Sequence, residues 1–530
     1  MSEPIVSGPL SSEPIYEVDS IWELVRRRAD ATPDAPMLLD ENDRRLTFGE
    51  FRDKAERVAA GLAELGVGRG TVVSWQLPTR METVLASMAL ARLGAVQNPI
   101  IHLYREREVG FALRQLSPEL FLCPTVFKDF DFAEMGRCLG SELERPPRVI
   151  DAYSQLPDGD PSSLPPPPDA ASANQVRWVY YTSGTTSDPK GVRHSDRTLV
   201  MGGKGLAAAL GMSPGDVGSM AFPFAHIAGP DYLVMVLALG FPVVLLESFV
   251  PDDATRVFSR HSVTMAGGST AFYQAFLNVQ RERPDEPIIP SLRMLSGGGA
   301  PMPPEIFNEV GKELGVRVAH GYGMTEIPMI CMGSPRDSDE QLMHTVGKPV
   351  LGAEVRVVGN DGSLASAGVD GEIRVRGEMV CKGYTDEALN ADAFDEEGFF
   401  RTGDLGHLRP DGHVVLTGRL KDVIIRKGEN ISAKEIEDLL YEHPKVLDVA
   451  VIGLPDRERG ERVCAVVQRA PDEAPLELEE MVKYLRSAGL MPQKVPEQLE
   501  VVDALPRNET LNKVLKQKLR DQYSTVPWSG

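Results

Sequence analysis

Apolar residues along the first 150 positions recur at two alternating periods. Phe51, Ala55, Val58, Ala59 and Leu62 fall at helical spacing after Leu46-Thr47-Phe48-Gly49-Glu50, where Thr47 and Glu50 have the form of a capping box. This predicts a helix that opens near Phe48 and ends at Gly66. A short strand at 71–75 follows, then a helical stretch from about Arg80 to Arg92 that stops near Gly94. Strand, helix and strand in that order predict a parallel α/β architecture.

The pattern then changes three times. Residues 156–174, LPDGDPSSLPPPPDAASAN, are too rich in proline for regular structure and read as a loop or linker. A strand at 176–181 runs out of it into a Gly/Ser/Thr-rich turn. The most apolar stretch, 232–246, holds Gly240 and Pro242 and is too short to span a bilayer comfortably, so a buried helix, a turn and a buried strand are predicted. In 350–418, short β-rich runs at 353–358, 371–376 and 412–417 alternate with Asn360-Asp361-Gly362 and Pro410-Asp411-Gly412, the pattern of a small antiparallel subdomain. From about Leu420 the character changes again. Ser432-Ala433-Lys434-Glu435 has the form of a second capping box, ahead of a helix carrying Ile436, Leu439 and Leu440 on one face. Strands at 446–452 and 462–467, a helix at about 476–488 and a basic tail follow. Residues 420–530 therefore read as a separate small α+β domain.

The 530 residues allow about three or four domains. Fifty-six basic against 77 acidic residues leave a formal charge of −21, which argues against a general nucleic-acid binder and against attraction to an anionic membrane surface. Any anionic ligand would need a local cluster of cations. Cys123, Cys138, Cys331, Cys381 and Cys464 have neither metal-ligand spacing nor the form of a disulfide framework. The first twenty residues lack a basic n-region and an apolar h-region. These features predict a cytoplasmic protein without an integral membrane segment.

Four segments carry chemistry. Tyr181-Thr182-Ser183-Gly184-Thr185-Thr186-Ser187-Asp188-Pro189-Lys190-Gly191 places hydroxyls, a glycine and a lysine just after a strand. This is either a phosphate cradle, though not of Walker A spacing, or a solvated polar hairpin. In His320-Gly321-Tyr322-Gly323-Met324-Thr325-Glu326 the glycines flank an aromatic that can stack on a base, Thr325 can donate to a phosphate, and Glu326 can hold Mg²⁺ through oxygen. The alternative is an ordinary Gly-rich turn. Arg401-Thr402-Gly403-Asp404-Leu405-Gly406 offers a carboxylate that can take two ribose hydroxyls, or is a surface turn. Gly418-Arg419-Leu420-Lys421-Asp422 with Lys427-Gly428-Glu429-Asn430 is either a site or a charged linker.

In that order, over essentially the whole chain, these segments resemble the adenylate-forming superfamily, which includes AMP-forming acyl-CoA synthetases, adenylation domains of peptide synthetases and firefly luciferase. The resemblance implies an α/β fold with a large, multi-subdomain N-terminal adenylation domain at 1–419. A small mobile α+β domain at 420–530 would follow, with the hinge near Lys421. Thr182, Ser183, Gly184, Thr185, Thr186 and Lys190 would cover the β- and γ-phosphates of ATP. Tyr322, with Gly299 and Ala300 of Ser296-Gly297-Gly298-Gly299-Ala300-Pro301, would frame the adenine, beside His320, Gly321, Gly323 and Met324. Thr325 would touch the α-phosphate, Glu326 would bind Mg²⁺, and Asp404 would hold the ribose with help from Arg419. His226, in Phe222-Pro223-Phe224-Ala225-His226, matches the aromatic gate of the acyl pocket. Lys427 and Gly428 would lie on the coenzyme A side. Near the C-terminus, Leu505-Pro506-Arg507-Asn508-Glu509-Thr510-Leu511-Asn512-Lys513 resembles the catalytic-lysine motif. It has Asn512 where glycine is usual and one residue more between proline and lysine, so Lys513 is the match and Lys516 stays open. Ser187 also replaces a usual glycine.

The implied reaction joins a carboxylate to the α-phosphate of ATP, then exchanges AMP for a thiol. It brings anion to polyanion, so positioning and positive charge from Lys190, Lys513, Mg²⁺ and backbone N–H groups must carry it, with Arg193, Arg419 and Lys427 adding to a basic mouth. Acetate-activating relatives close the pocket with tryptophan two residues before the motif threonine. Glycine at 323 therefore implies a larger acid. Phe224, Ile227, Met324 and Ile327 beside His226 imply an apolar pocket for a fatty or cyclic acid, with no charged residue nearby for an amino group. The acceptor is coenzyme A or, alternatively, a carrier-protein thiol. A non-catalytic nucleotide-binding protein and an oxygen-dependent luciferase are the other readings, and a homodimer is among the expected partners.

Overall fold

The computed structural model describes residues 13–182, 189–300, 302–426, 429–456, 459–471, 473–507 and 514–524. Among them, three larger sheets and a two-stranded ribbon (Val126–Phe127 with Phe130–Asp131) are built from residues before Leu420, and a fourth larger sheet from residues after it. The first sheet orders Gly191–Ser195, Val176–Tyr181, Val96–Pro99, Val72–Trp75, Leu120–Cys123 and Arg148–Asp151. It is parallel apart from its Gly191–Ser195 edge. The second has nine strands, with Met265–Gly268, Met294–Gly298 and Arg317–Met324 side by side and parallel, and Ile327–Met332 turned back antiparallel on the last. The third is the antiparallel set Glu354–Val358, Gly371–Arg376, Phe400–Leu408 and Val414–Arg419.

Local sequence explains these elements. Helix Phe48–Glu64 opens on the reciprocal Thr47 and Glu50 cap, and helix Met81–Leu93 ends at Gly94, whose φ of 72° suits glycine. Met81–Leu93 is buried nearly all round, as expected of a helix lying between layers. The stretch 232–246 divides as expected into helix Ala228–Leu239, a turn at Gly240 and strand Val243–Leu245. Gly203 lets that helix approach helix Asp196–Leu210, since a Cβ there would stand 2.4 Å from Val234 Cβ. The far end of Ala228–Leu239 is capped by Arg28 of helix Ile21–Ala31. This fully buried guanidinium donates to the carbonyls of Leu237 and Ala238, each at 2.7 Å.

Four readings change. The proline-rich segment is not a free linker. It forms short turns at Pro161–Ser163 and Ala170–Ser172, and its backbone lies against Gly61, where a Cβ would stand 2.4 Å from the Asp158 nitrogen. The second capping box is half formed. Ser432 accepts from the Glu435 N–H, but the Glu435 carboxylate turns to Lys494. Its hydroxyl also donates to the Thr417 carbonyl at 2.5 Å, across the seam between third and fourth sheets. The 320–326 segment is not a Gly-rich turn. It is the end of strand Arg317–Met324 and a tight hairpin into Ile327–Met332. Likewise Arg401–Gly406 lies inside strand Phe400–Leu408.

The fourth sheet joins Val423–Arg426, Glu429–Ser432, Val446–Asp456, Gly460–Arg469 and Gln498–Val502 under helices Ala433–Tyr441 and Leu478–Ser487, an α+β arrangement with its own apolar core. No described helix is long and apolar enough to cross a membrane.

Candidate active site

The described parts of the segments singled out by sequence touch one another: Tyr322 meets Asp404, Asp404 meets Arg419, and Lys190 and Glu326 share Tyr384. The loop after Val176–Tyr181 is closed at its base by two hydrogen bonds. The Thr182 N–H donates to the Lys190 carbonyl at 3.1 Å, and the Lys190 N–H donates to the Thr182 hydroxyl at 3.2 Å. Ser183, Gly184, Thr185, Thr186 and Ser187 lie outside the described residues, as do Pro301, Lys427, Gly428 and Lys513.

Two chains of polar contacts run through the site. In the first, the Lys190 ammonium sits 5.2 Å from the ring centroid of Tyr384, and the Tyr384 hydroxyl donates to Glu326 Oε1 at 2.8 Å. In the second, the Tyr322 hydroxyl donates to Asp404 Oδ2 at 2.6 Å while Arg419 Nε meets Asp404 Oδ1 at 2.9 Å. Asp404 is thus a buried carboxylate held between two donors, on the strand pair that leads directly to Lys421. Burial and then the neighbouring Arg419 lower the Lys421 pKa.

Neutral histidines support both hairpins. His194 is buried, and burial pushes its pKa down to about 4, so its Nε2 N–H donates to the Thr325 carbonyl at 2.8 Å. His320 behaves alike. Its pKa falls to about 4, and it donates to the Ala300 carbonyl at 2.8 Å, fixing the end of the glycine strip. That strip keeps strand ends bare. A Cβ on Gly298 would stand 2.7 Å from the Gly321 carbonyl oxygen, and Gly299 turns out with φ 80°.

A narrow cleft reaches Thr325 and His226. Its walls come from Pro99, Ile100, Ile101, Tyr104, Glu108 and Ala112, from Tyr180–Thr182 with Pro189, and from Ala225 and Ile227. His226 closes a turn after Pro223, and its Nδ1 accepts from the Ala228 N–H at 3.3 Å. Other residues expected in the pocket sit elsewhere. Phe224 does not line the cleft: it is buried and stacks on Trp75 at 6.0 Å. Ile327 is fully buried in its strand, and Met324 packs half-buried against the core. Gly323 has a structural reason of its own, because a Cβ there would stand 2.3 Å from the Pro328 carbonyl oxygen across the hairpin. Glycine at 323 is therefore not by itself a measure of acid size.

Lys516, the alternative catalytic lysine, is engaged within its own lobe. Its ammonium meets Glu437 Oε1 at 2.7 Å, and Glu437 also accepts from the Val451 N–H. Removing that cation would strand a carboxylate whose pKa burial already raises against the opposing pull of Lys516.

Two residues carry no motif-level signal. Tyr384 matters through contacts remote in sequence. Asp231 lies five residues beyond His226, yet points away from the cleft lining, against helix Asp196–Leu210. A Cβ on Gly202 would stand 2.4 Å from its Oδ1. Among the described residues, neither carboxyl oxygen has a hydrogen-bond partner, nor has the nearby buried Tyr180 hydroxyl. Burial raises the Asp231 pKa well above the usual carboxylate range.

The matches to known proteins agree with this geometry. The family model described as AMP-binding enzyme matches residues 25–385, and that of the AMP-binding enzyme C-terminal domain matches 435–511. This chain belongs to the AMP-binding enzyme family. The adenylate-forming resemblance and the two-part α/β fold are thereby established. This AMP-binding enzyme is 31% identical to the medium-chain fatty-acid–CoA ligase of Escherichia coli, over 94% of this chain and 90% of that protein. It is 32% identical to the salicyl-AMP ligase / salicyl-S-ArCP synthetase of Mycobacterium tuberculosis, over 89% and 86%. Its fold superposes on ATP-bound MatB from Rhodopseudomonas palustris with a TM-score of 0.85 at 27% identity, covering 95% of this chain and 99% of that one. On o-succinylbenzoate CoA synthetase from Bacillus subtilis, in complex with its acyl-adenylate, the TM-score is 0.82 at 29% identity, over 95% and 98%. The AMP-binding enzyme is thus an ATP-using ligase that forms an acyl-adenylate.

Proposed function

We propose that the enzyme activates a hydrophobic carboxylic acid larger than acetate, fatty or cyclic, and transfers the acyl group to the thiol of coenzyme A. The observation that supports this reading is the contact of Lys190 and Glu326 through Tyr384, together with a largely apolar cleft lined by Thr325, the residue before Glu326, and by His226. The fatty-acid–CoA ligase relative supports both the acid class and the acceptor.

In the adenylation step a carboxylate oxygen attacks the ATP α-phosphorus and pyrophosphate leaves. Thr325 would orient the α-phosphate, with its hairpin held by His194. Lys190 would meet the β- and γ-phosphates at the closed base of its loop, and Lys513 would bridge the attacking carboxylate and the α-phosphate. Asp404 would accept the ribose hydroxyls beside Arg419, with Tyr322 and Ala300 bounding the adenine. The donor set also fits Mg²⁺. Among the described residues no group of three or more metal-ligating side chains exists, and Mg²⁺ commonly takes one carboxylate, phosphate oxygens and waters. Glu326 would be that carboxylate, and Mg²⁺, when bound, supplies charge neutralisation for the departing pyrophosphate. In the second step the thiol sulfur attacks the acyl carbon, loses its proton, and AMP departs. We assign residues 1–419 and 420–530 to the two domains, with Lys421 as the pivot that lets one site serve both steps. The test is pyrophosphate release from Mg·ATP over a panel of short, medium and long fatty acids, aryl acids and alicyclic acids, each with and without coenzyme A. Turnover that requires one acid class and coenzyme A supports the reading. Release of a single equivalent, unaffected by coenzyme A, refutes the acceptor.

A carrier-protein thiol is the second reading, favoured by the salicyl-S-ArCP synthetase relative. Single-equivalent release that becomes turnover on addition of a phosphopantetheinylated carrier protein would establish it.

A further inference from the structure

We propose that Tyr384 is a positioning residue for adenylation, setting the Glu326 carboxylate and the Lys190 ammonium in place before nucleotide binds; this rests on the reading of Glu326 as the Mg²⁺ ligand. Tyr384 is buried, and each of its faces is used. Its hydroxyl fills one lone-pair position on Glu326 Oε1 and stops the carboxylate rotating, which leaves Oε2 free to be presented to a cation. Its ring gives Lys190 an apolar, electron-rich surface that an ammonium favours over bare hydrocarbon.

The side chain is itself tightly held. The Arg193 N–H donates to the Gly383 carbonyl, the Lys382 N–H to the Arg193 carbonyl and the Thr385 N–H to the Gly191 carbonyl, so 382–385 forms an extra rung along strand Gly191–Ser195. On the other side the Cys381 N–H donates to the Glu326 carbonyl, and the Tyr384 N–H is held by Asn390 at 2.8 Å. One short segment thus clamps the lysine loop to the 325–326 hairpin.

The role separates metal binding from nucleotide binding. In Tyr384→Phe the ring remains under Lys190 while Glu326 loses its donor. Mn²⁺ affinity of the full-length enzyme saturated with a non-hydrolysable ATP analogue, read by electron paramagnetic resonance, is expected to fall about tenfold, the scale of one charge-assisted hydrogen bond. Metal-free binding of the same analogue, read by calorimetry, should change less than twofold. Tyr384→His restores a donor and should recover part of the Mn²⁺ affinity, which provides the comparison if the phenylalanine variant folds poorly. Tyr384→Leu removes ring and hydroxyl and should weaken both readings.

Glu326→Gln is run alongside. If it weakens Mn²⁺ binding and Tyr384→Phe does not, the positioning role is wrong and the metal ligand stands. If neither does, Glu326 is not the ligand and both readings fall. Equal losses in the two readings for Tyr384→Phe would make Tyr384 a packing residue only, and would also overturn the proposal.

Discussion

Replacing Asp231 by asparagine exchanges a buried carboxyl, whose pKa burial raises, for an amide of nearly the same shape. The two differ in what happens on unfolding. In the unfolded chain an aspartate titrates near 3.9, whereas in the fold burial holds Asp231 well above that. Between those two pKa values the native state carries one proton that the unfolded state has released. Stability therefore falls as pH rises, by about 1.4 kcal/mol per pH unit for one group. The asparagine variant lacks this slope. As pH rises above the unfolded-state aspartate range the variant should gain on the wild type, whatever constant offset the amide brings. Urea unfolding at pH 5, 6 and 7 reads the difference. The fluorescence of Trp22, Trp75 and Trp178, all buried in the large lobe, reports the relevant transition. Parallel stability curves for the two proteins would mean that burial does not raise the Asp231 pKa, and would refute the reasoning.

Lys513→Ala should lower pyrophosphate release more than 100-fold while sparing thioester formation from supplied acyl-AMP. Lys516→Ala should instead cost the small lobe about 2–3 kcal/mol in thermal unfolding by stranding Glu437. Gly323→Ala should destabilise by about 1–3 kcal/mol because its Cβ meets the Pro328 carbonyl, and Gly323→Trp should unfold the hairpin rather than shorten the preferred acid; an intact variant with a changed acid profile would contradict this. Arg28→Met should cost about 2–4 kcal/mol through two uncapped carbonyls, and calorimetric melting would show it. Asp404→Asn should weaken ATP binding about tenfold by calorimetry, with the Tyr322 contact kept by the amide oxygen.

Local elements were legible because their signals are local. Thr47 and Glu50 cap their helix as written, Gly94 and Gly240 end helices in the left-handed region, and the strand at 176–181 runs into its loop. The four motifs carried the family and pointed to Lys190, Thr325, Glu326 and Asp404, which the fold gathers. What failed depended on facing. Phe224 stands two residues from His226, but the turn that presents the histidine sends the phenylalanine to Trp75. Gly323 was read through its missing side chain, whereas the reason for it is a carbonyl on the next strand. The Glu435 carboxylate left its cap for a lysine 59 residues away. Tyr384 and Asp231 were unreadable for the same cause: one acts 58 residues from Glu326, and the other is defined by the absence of any partner around it.

The clamp at 381–385 also has a consequence for biosynthesis. The lysine loop and its strand leave the ribosome long before the segment that secures them, since Thr385 closes on Gly191 across 194 residues and on Gln115 across 270. At about 5–20 residues per second, that interval lasts roughly 10–40 s. A nascent chain that has already folded its first parallel strands therefore holds its lysine loop against an unfinished wall. Rare codons or pauses between 191 and 385 would lengthen the time for which Tyr180, Tyr181 and the edge strand Gly191–Ser195 wait for their cover. Aggregation yield during translation should track that delay more closely than the stability of the finished enzyme does.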